Sequence, residues 1–533
     1  MRSPADVEAG PASPLAAEQP REVELKLAVP LEHVEELMRH PLLKRSLAPA
    51  RSEQLSSVYF DTPDLRLAKD DVTLRVRRHG RRHIQTVKLG PMRQAGLFSR
   101  AEWEEPVPTS KPDPARIGNR KLRQRIDRVR LKRGLKPIFG TEFKRTNWLL
   151  KGHRGGKVAV GLDVGEIKTR EGSRSICELE LELKSGKPGE LFEVAEALAR
   201  DMPLRLEFES KASRGFALYQ GEASRPVKAC EVALGDVDTT FAMAKRTFAA
   251  CFDQLAANWG PAVDGSDPEG VHQLRVAIRR FRSALGLFRE LLDADGHAKL
   301  RLELGWLAQE LAPARAWDVF LAELLPSGAG ALPVPAVRKT IVRLARRVRK
   351  ESYERARAAL ASKRGADLLL ALRIWVDEPR WRPAGEEAHA GPPSAAEAMS
   401  ARDFARHMLH RRHKRVRRFA RNAAELSPEA LHALRIQVKK LRYAAEFVSG
   451  LFPRRRVKSY LRDLARLQQD LGAINDAVTL PPLAGQLLER DRDARLAQAV
   501  GALIGWHASR AVSARTHLGP LLEEFADARK FWS

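Results

Sequence analysis

Apolar and charged residues alternate along many short segments in the first 215 residues of the chain. Side chains alternate between the two faces of a β-strand, so the first such segment places Glu22, Glu24 and Lys26 on one face and apolar residues on the other. Similar segments lie at residues 57–61, 73–77, 86–89, 100–104, 142–144, 158–164, 178–184 and 204–209, and helical periodicity lies at 31–38, 121–130 and 190–199. About eight strands, mostly joined by turns, predict an antiparallel barrel or a strongly curved sheet.

The charged faces of these predicted strands carry like charges in clusters. Arg75 shares a face with Arg77, and Glu178 shares one with Glu180 and Glu182. A solvent-exposed ladder of Glu and Lys would avoid this, because like charges 4 Å apart repel by about 4 kcal/mol at an effective dielectric constant of about 20. Carboxylates bind hard divalent cations, and arginine and lysine bind phosphate oxygens. For the set as a whole, the pattern favours a tunnel that holds a metal–polyanion complex over a surface ladder.

The second part of the chain has helical periodicity and contains an internal repeat. The segment that begins at Val271 resembles the one that begins at Leu431, and their histidines, His272 and His432, lie 160 residues apart. Two later segments that end at Asp318 and Asp476 also match, 158 residues apart. Two matches at nearly the same offset indicate a duplication.

Each copy of the repeat places a cationic stripe beside an apolar one. In the first copy Leu274, Ile278, Phe281 and Leu285 follow the 4-3-4 spacing of one helix face. The cationic stripes are His272, Arg275, Arg279 and Arg282 in the first copy, and His432, Arg435, Lys439 and Arg442 in the second. Few acidic residues lie one helical turn away to offset these charges, which favours a polyanion ligand over a solvated face. Each motif has a single histidine without a carboxylate or cysteine partner at ligand spacing, which disfavours a metal site there.

Length, charge and cysteine content narrow the possible partners. A chain of 533 residues predicts two to four domains, and its net charge of +27 favours polyanions. The three cysteines show neither metal nor disulfide spacing, which indicates a reducing cytosol. No apolar run reaches the roughly 18 residues of a membrane span, so we expect no membrane partner. Aromatic residues make up only 6% of the chain, which argues against stacking on nucleic acid.

The first part of the chain resembles the CYTH superfamily, the triphosphate tunnel metalloenzymes. The resemblance rests on Glu22-x-Glu24-x-Lys26, followed in order by Leu74–Arg77, Lys88, Arg100–Glu104, Asp163, Glu180-x-Glu182 and Ser210–Arg214. It implies an eight-stranded tunnel over residues 20–217 that hydrolyses a triphosphate with Mg²⁺ or Mn²⁺. The implied metal ligands are Glu22, Glu24, Asp163, Glu180 and Glu182, and Glu22, Glu24 and Lys26 would be catalytic. The implied phosphate ligands are Lys26, Arg75, Arg77, Lys88, Arg100, Arg145, Lys184 and Lys211. Which of Glu178, Glu180 and Glu182 contact metal stays open.

Residues 236–525 resemble the CHAD domain. Both copies of the repeat carry its motif His-x-Leu-Arg-x-x-x-Arg/Lys-Arg/Lys-x-Arg. The resemblance implies two pseudo-symmetric helical bundles whose basic faces line a cleft for inorganic polyphosphate, contacted by the eight residues of the cationic stripes. The first copy departs from the family where Ala316 and Trp317 precede Asp318, so we do not assign Asp318 to the cleft.

The expected fold class is therefore α+β, with an eight-stranded antiparallel β tunnel followed by an all-α domain of two bundles. We divide the chain into a disordered leader (1–20), the tunnel domain (21–220), a linker (221–235), a first bundle (236–379), a loop (380–397) and a second bundle (398–525).

The function expected from these features is hydrolysis of inorganic triphosphate to pyrophosphate and phosphate by a cytoplasmic protein that also binds polyphosphate. Nucleoside or thiamine triphosphate hydrolysis, adenylate cyclisation and non-catalytic binding to polyphosphate granules are the alternatives. The sequence contains no P-loop, so the phosphates must be bound by a different kind of site. The physiological substrate, the preferred metal, the polyphosphate length and the oligomeric state stay open.

Overall fold

A computed structural model describes residues 21–92, 96–222, 224–332, 335–378, 399–420 and 426–533. The predicted leader and the predicted loop at 380–397 lie outside these residues. The chain divides into two compact units, the first formed mainly by residues up to Ser224 and the second mainly by residues from Arg225 onward. None of the helices in the described ranges is both long enough and apolar enough to cross a bilayer.

The first unit is built around a closed antiparallel barrel. Its strands are β1 (Arg21–Ala28), β2 (Arg51–Asp61), β3 (Val72–His79), β4 (Arg82–Leu89), β5 (Leu97–Val107), β6 (Lys136–Lys151), β7 (Lys157–Lys168) and β8 (Ser173–Ser185), with the short β9 (Arg205–Leu206) beside β1. The order is β5-β4-β3-β2-β6-β7-β8-β1, and pairing of β1 with β5 closes the barrel. The eight-stranded antiparallel tunnel is thus confirmed. The strand predicted at 204–209 is mostly wrong: its ladder with β1 is limited to β9, because the chain then turns into a helix capped by Ser210.

Helices cover the apolar faces of the strands. They are α1 (Val34–Met38), α2 (Pro41–Lys44), α3 (Arg66–Lys69), α4 (Arg120–Arg133), α5 (Gly189–Asp201) and α6 (Lys211–Gln220). On one side Leu122 and Ile126 of α4 are buried with Leu74 and Val76 of β3. Because the apolar strand faces lie under helices on the outside, the charged faces are left to line the inside of the barrel.

Helix α6 begins inside the barrel. The Ser210 hydroxyl accepts a hydrogen bond from the Ser213 N–H (3.1 Å), and this cap fixes the start of the helix. Gly215 lies against the Phe139 ring so closely that a Cβ at this position would come within 2.2 Å of it. The Phe139 ring in turn stacks on Tyr59 (4.4 Å between centroids). The missing side chain at Gly215 therefore lets α6 approach the wall and carry Lys211 into the barrel.

The second unit is helical in all its regular elements. They are α7 (Thr240–Asp264), α8 (Pro268–Leu287), α9 (Ala294–Glu310), α10 (Ala312–Val319), which continues through a π-helical turn (Phe320–Leu324) into α11 (Leu325–Ser327), α12 (Pro335–Ala361), α13 (Lys363–Asp377), α14 (Ala401–Ala420), α15 (Pro428–Phe447), α16 (Arg454–Arg490) and α17 (Ala494–Asp527). The strand-based barrel followed by this helical region confirms the predicted fold class.

The repeat seen in the sequence corresponds to two equivalent helices. Helices α8 and α15 each have 20 residues and begin with proline, and both their ends lie 160 residues apart. Each is followed by a 3₁₀ turn, at Arg289–Leu291 and Ser449–Leu451. The predicted apolar stripes, such as Leu274 and Ile278 in α8, are fully buried. The cationic stripes are left on the other faces of these two helices.

Candidate functional site

A cavity of about 250 Å³ occupies the interior of the barrel. Charges of both signs form its wall. The cationic side chains are Lys26, Arg75, Arg77, Lys88, Arg100, Arg145, Lys184 and Lys211, and the carboxylates are Glu22, Glu24, Glu102, Glu104, Glu180 and Glu182. With eight cations and six carboxylates, the wall is slightly cationic. A ligand that carries both signs of charge, such as a divalent cation on a phosphate chain, matches this wall.

The cavity-lining carboxylates of strand β1 lie next to cationic groups. Glu24 contacts Lys26 (2.9 Å) and Arg100 (3.4 Å). Glu22 contacts Lys88 (2.5 Å). Glu24 is also the direct neighbour of Glu182 across the β1–β8 pairing. Like charges at such a position destabilise a sheet unless a cation lies between them, so this pair suits a metal ion.

A second group of three carboxylates extends from the wall into the interior, since Glu180 lines the cavity but Asp163 and Glu178 do not. Oxygen atoms of Asp163, Glu178 and Glu180 come within 4.8 Å of one another, which is close enough for one metal ion. Asp163 and Glu178 have no exposed surface, however. Arg145 donates two hydrogen bonds to Asp163, both 2.6 Å long, and Lys211 contacts the same carboxylate at 2.6 Å. The oxygens of Asp163 and Glu178 are thus buried away from the cavity, whereas Glu22, Glu24 and Glu182 line it.

The buried ion pairs around Glu180 also determine which of the neighbouring side chains are charged. Burial alone would raise the pKa of Glu180, but the positive charges of Lys211, Lys26 and Arg145 hold this pKa well below its ordinary value. Burial would lower the pKa of Lys26, yet the carboxylates of Glu180 and Glu24 outweigh it and raise that pKa. These side chains therefore remain charged at neutral pH.

Arg75 and Arg77 are incompletely neutralised. Arg75 reaches Glu102 only at 3.8 Å and Glu104 at 3.9 Å. Arg77 has no ion pair among the residues that the structure describes. Repulsion from Arg75, together with burial, lowers the pKa of Arg77 to about 10. Both guanidinium groups keep a buried Nε–H without a hydrogen-bond partner in the described part of the chain. An anion that accepts these hydrogen bonds would satisfy the buried N–H groups and would also offset the repulsion between the two guanidinium groups.

The second unit contains a larger cationic groove of about 720 Å³, which we call the anion groove. Its charged wall comprises Lys228, Glu231, His272, Arg279, Arg280, Lys439, Arg442, Glu446, Arg454 and Lys458. Helices α8 and α15 both contribute, so the two copies of the repeat meet here. Burial and the nearby charges of Arg435, Arg279 and Arg275 lower the pKa of Lys439 to about 7. Four of the eight predicted polyphosphate residues thus line the groove, namely His272, Arg279, Lys439 and Arg442, and the charges of Arg275 and Arg435 lie close to Lys439.

Arg282 and His432 of the cationic stripes also lie outside this wall. Arg282 is exposed. His432 is also exposed. The cationic stripes predicted from the sequence therefore include residues that do not line the groove.

Comparison with protein families supports this two-part architecture. Residues 20–216 match the CYTH domain, and residues 246–485 match the CHAD domain. The chain therefore joins a CYTH domain to a CHAD domain.

Relatives cover the two domains unequally. Over 199 residues, or 37% of this chain, the chain is 35% identical to an inorganic triphosphatase of Haemophilus influenzae, and the match spans 55% of that protein. An uncharacterized protein of Mycobacterium tuberculosis is 27% identical over 416 residues, which is 74% of this chain and 76% of that protein. The match to the triphosphatase thus spans little more than half of that relative.

Two solved structures are also similar. The CHAD domain from the plant Ricinus communis is 28% identical and covers 58% of this chain and 98% of that chain, with a TM-score of 0.48. A putative adenylyl cyclase from Hippeastrum, described as having a dominant triphosphatase activity, is 20% identical and covers 38% of this chain and 97% of that chain, with a TM-score of 0.29.

The structure brings together all but one of the predicted CYTH site residues. The exception is Asp163, which lies behind the wall under Arg145 and Lys211. Two charged wall residues were not assigned from the sequence, Glu102 and Glu104. Their signal was present, because both share the strand face of Arg100, and Glu102 pairs directly with Lys88 in the sheet.

Arg214 is a further cation of the buried network that sequence reasoning did not assign. It forms an ion pair with the buried Glu178, as Lys211 does. The two cations lie three residues apart on α6, a spacing that puts both on one helix face. Asp318 of the CHAD domain lies in the interior instead, where it accepts hydrogen bonds from Arg349 (2.6 Å) and Tyr353 (2.7 Å).

Proposed function

We propose that the CYTH domain hydrolyses inorganic triphosphate to pyrophosphate and phosphate, and that the CHAD domain binds inorganic polyphosphate. The observation that carries the first part is the mixed-sign wall inside a closed barrel. Phosphoryl transfer needs positioning and neutralisation of charge on the phosphate oxygens more than covalent help. The likeness to the Haemophilus inorganic triphosphatase supports the same activity.

We assign the roles by depth in the tunnel. Glu22, Glu24 and Glu182 would hold Mg²⁺ or Mn²⁺, with Glu180 at the border of this set. The bound metal would neutralise phosphate charge and lower the pKa of a water molecule. Lys26, Arg75, Arg77, Lys88, Arg100, Arg145, Lys184 and Lys211 would hold the phosphate oxygens. Asp163 and Glu178 would act indirectly, by holding Arg145 and Lys211 in place.

The aromatic residues of the wall favour an inorganic substrate over a nucleotide. Tyr59 is stacked on Phe139, with 4.4 Å between ring centroids. Phe143 lies beneath Arg145 and Lys211, at 5.7 and 5.1 Å from its ring centroid. Phe139 thus covers one face of Tyr59, and two cations occupy the space over Phe143. A purine base that stacked on Phe143 would have to displace these cations, so we place nucleoside triphosphate hydrolysis and adenylate cyclisation second.

The test is phosphate release from tripolyphosphate, ATP and long-chain polyphosphate, each with Mg²⁺, Mn²⁺ or EDTA. We expect metal-dependent release that is fastest on tripolyphosphate and is abolished by EDTA, because the wall carboxylates need a cation to approach a polyanion. Cyclic AMP formed from ATP would support the cyclase instead. Absence of release from all three substrates would leave a polyphosphate-binding protein without this activity.

Polyphosphate binding by the CHAD domain is proposed from its uncompensated charge. Arg275 and Arg279 each keep a buried Nε–H without a partner among the described residues. Burial and repulsion by Arg279 lower the pKa of Arg275 to about 10. Cations brought together in this way repel one another, and a chain of phosphates relieves the repulsion.

The pKa of Lys439 makes this binding pH-dependent. In the free protein its pKa is about 7, so the amine loses its charge as the pH rises from 7 to 9. Bound phosphate raises that pKa, and binding therefore takes up a proton. We expect the affinity for long-chain polyphosphate to fall by about tenfold or more over this range, measured by calorimetry in buffers of different ionisation enthalpy. Lys439→Arg keeps its charge and should flatten the profile; identical profiles would contradict the assignment.

A further inference from the structure

The segment that precedes α7 is held against the helices of the CHAD domain. We call residues 225–237 the strap. The Val227 N–H donates to the Asn258 side-chain oxygen (2.9 Å), and the Asn258 amide donates back to the Val227 carbonyl (2.8 Å). Asn258 is fully buried, as are Val232 and Leu234 of the strap. Two hydrogen bonds and several buried side chains thus hold a segment that has no regular secondary structure.

The strap forms one wall of the anion groove. Lys228, Ala229, Cys230 and Glu231 all line it, opposite residues of α8, α15 and α16. Lys228 has no ion pair among the described residues, so it adds an uncompensated cation to the groove. The connection between the domains is therefore also part of the site.

Glu231 is the carboxylate of this wall that a bound anion can displace more easily from its partners. Its oxygens accept hydrogen bonds from Arg454 (3.3 Å) and Ser449 (3.5 Å). The other carboxylate of the wall, Glu446, is engaged by Arg280 (2.9 Å) and Arg442 (2.8 Å). The side chains of Glu231 and Arg454 are 43% and 86% exposed, and ion pairs this exposed are weak. A phosphate oxygen can therefore replace Glu231 on Arg454 at little cost.

We propose that the strap is a working part of the polyanion site, in which Glu231 is a built-in competitor that bound phosphate displaces from Arg454 and Lys228 is an additional phosphate ligand. This inference rests on the proposed polyphosphate binding. Because Glu231 carries the same sign of charge as the ligand, it sets a threshold: short or sparsely charged anions gain less from displacing it than long chains that also reach Lys228 and Lys439.

Charge variants of the full chain test the proposal through their affinity for long-chain polyphosphate at fixed salt. We expect Glu231→Gln to tighten binding by about threefold to tenfold and Lys228→Gln to weaken it by a similar factor. Asp236→Asn is the matched control. It makes the same charge change on the strap, but Asp236 pairs with Arg246 (2.8 Å) and does not line the groove.

The outcomes separate this inference from the function on which it rests. Polyphosphate binding by the unmodified protein, with Glu231→Gln no tighter than Asp236→Asn, would overturn the role of Glu231. An unchanged affinity of Lys228→Gln would overturn the role of Lys228. Absence of binding to the unmodified protein would overturn the proposed polyphosphate function itself, and the strap proposal with it.

Cys230 offers a second readout on the strap. It is exposed, whereas Cys251 is buried, and burial raises the pKa of Cys177 to about 11. Alkylation followed by mass spectrometry should therefore modify Cys230 first. We expect saturating long-chain polyphosphate to slow this reaction by about fivefold or more, because the ligand covers the thiol and its charge disfavours the thiolate. An unchanged rate while polyphosphate is bound would place the ligand away from the strap.

Discussion

Glu24→Gln is expected to lower tripolyphosphate hydrolysis by about 1000-fold while the CYTH domain stays folded. Glu24 is only 4% exposed and lies on β1 directly beside Glu182 of β8. The glutamine keeps the size and the hydrogen-bonding oxygen, but it loses the negative charge that we propose holds a divalent cation. Lys26 retains Glu180 as a partner, so the fold keeps most of its ion pairs.

The measurement is kcat/KM for tripolyphosphate at several Mg²⁺ concentrations, with circular dichroism as the check on folding. Glu142→Gln is the matched control, because Glu142 is also a strand carboxylate paired with a lysine (Lys168, 2.8 Å), but its side chain is 53% exposed and it does not line the cavity. We expect the control to keep its activity. A loss of less than tenfold in Glu24→Gln, with unchanged Mg²⁺ dependence, would contradict the metal-binding role of Glu24.

Glu178→Ala is expected to destabilise the CYTH domain by about 3–5 kcal/mol at pH 7, because it removes one carboxylate partner from each of two buried cations. Glu178 is fully buried and pairs with Lys211 and Arg214, which are themselves almost fully buried. Alanine cannot replace the carboxylate, and no solvent reaches this depth to do so. Loss of this partner should also let Lys211 move, so activity should fall along with stability.

The pH dependence of this effect has a definite sign. Burial would raise the pKa of Glu178, but Lys211 and Arg214 outweigh it, so the pKa in the folded protein lies below its ordinary value of 4.5. A carboxylate whose pKa is lowered by folding stabilises the fold fully at pH values above its ordinary pKa. This stabilisation disappears as the pH falls through the lowered pKa of the folded protein. The difference between the wild type and Glu178→Ala should therefore be full at pH 7 and should shrink below about pH 4.5.

Hydrogen exchange of strands β7 and β8 is the suitable measurement, because it reports on the CYTH domain within the full chain. The matched control is Glu142→Ala, which removes a strand carboxylate from an exposed ion pair and should cost less than about 1 kcal/mol. If Glu178→Ala changed the opening free energy no more than this control does, the buried network would not be a source of stability.

The sequence by itself determined which residues share a face. Strand side chains alternate strictly, so residues two apart must point the same way, and Glu22, Glu24 and Lys26 could be placed together without any tertiary information. The same holds for the repeat: its 160-residue offset reappears as two helices of equal length, α8 and α15. Local periodicity is fixed by backbone geometry, and these features depend on nothing else.

Only the tertiary structure decided which members of a face reach a ligand. Glu178 and Glu182 lie on one face of β8, yet Glu178 is fully buried and Glu182 lines the cavity. The difference arises because α6 enters the barrel and sets Lys211 and Arg214 against Glu178. Within α8, Arg279 lines the anion groove and Arg282 does not. The strap also lines this groove, although no helical pattern indicated that it would. Burial and ion pairing depend on segments that are distant in sequence, and periodicity carries no information about where those segments pack.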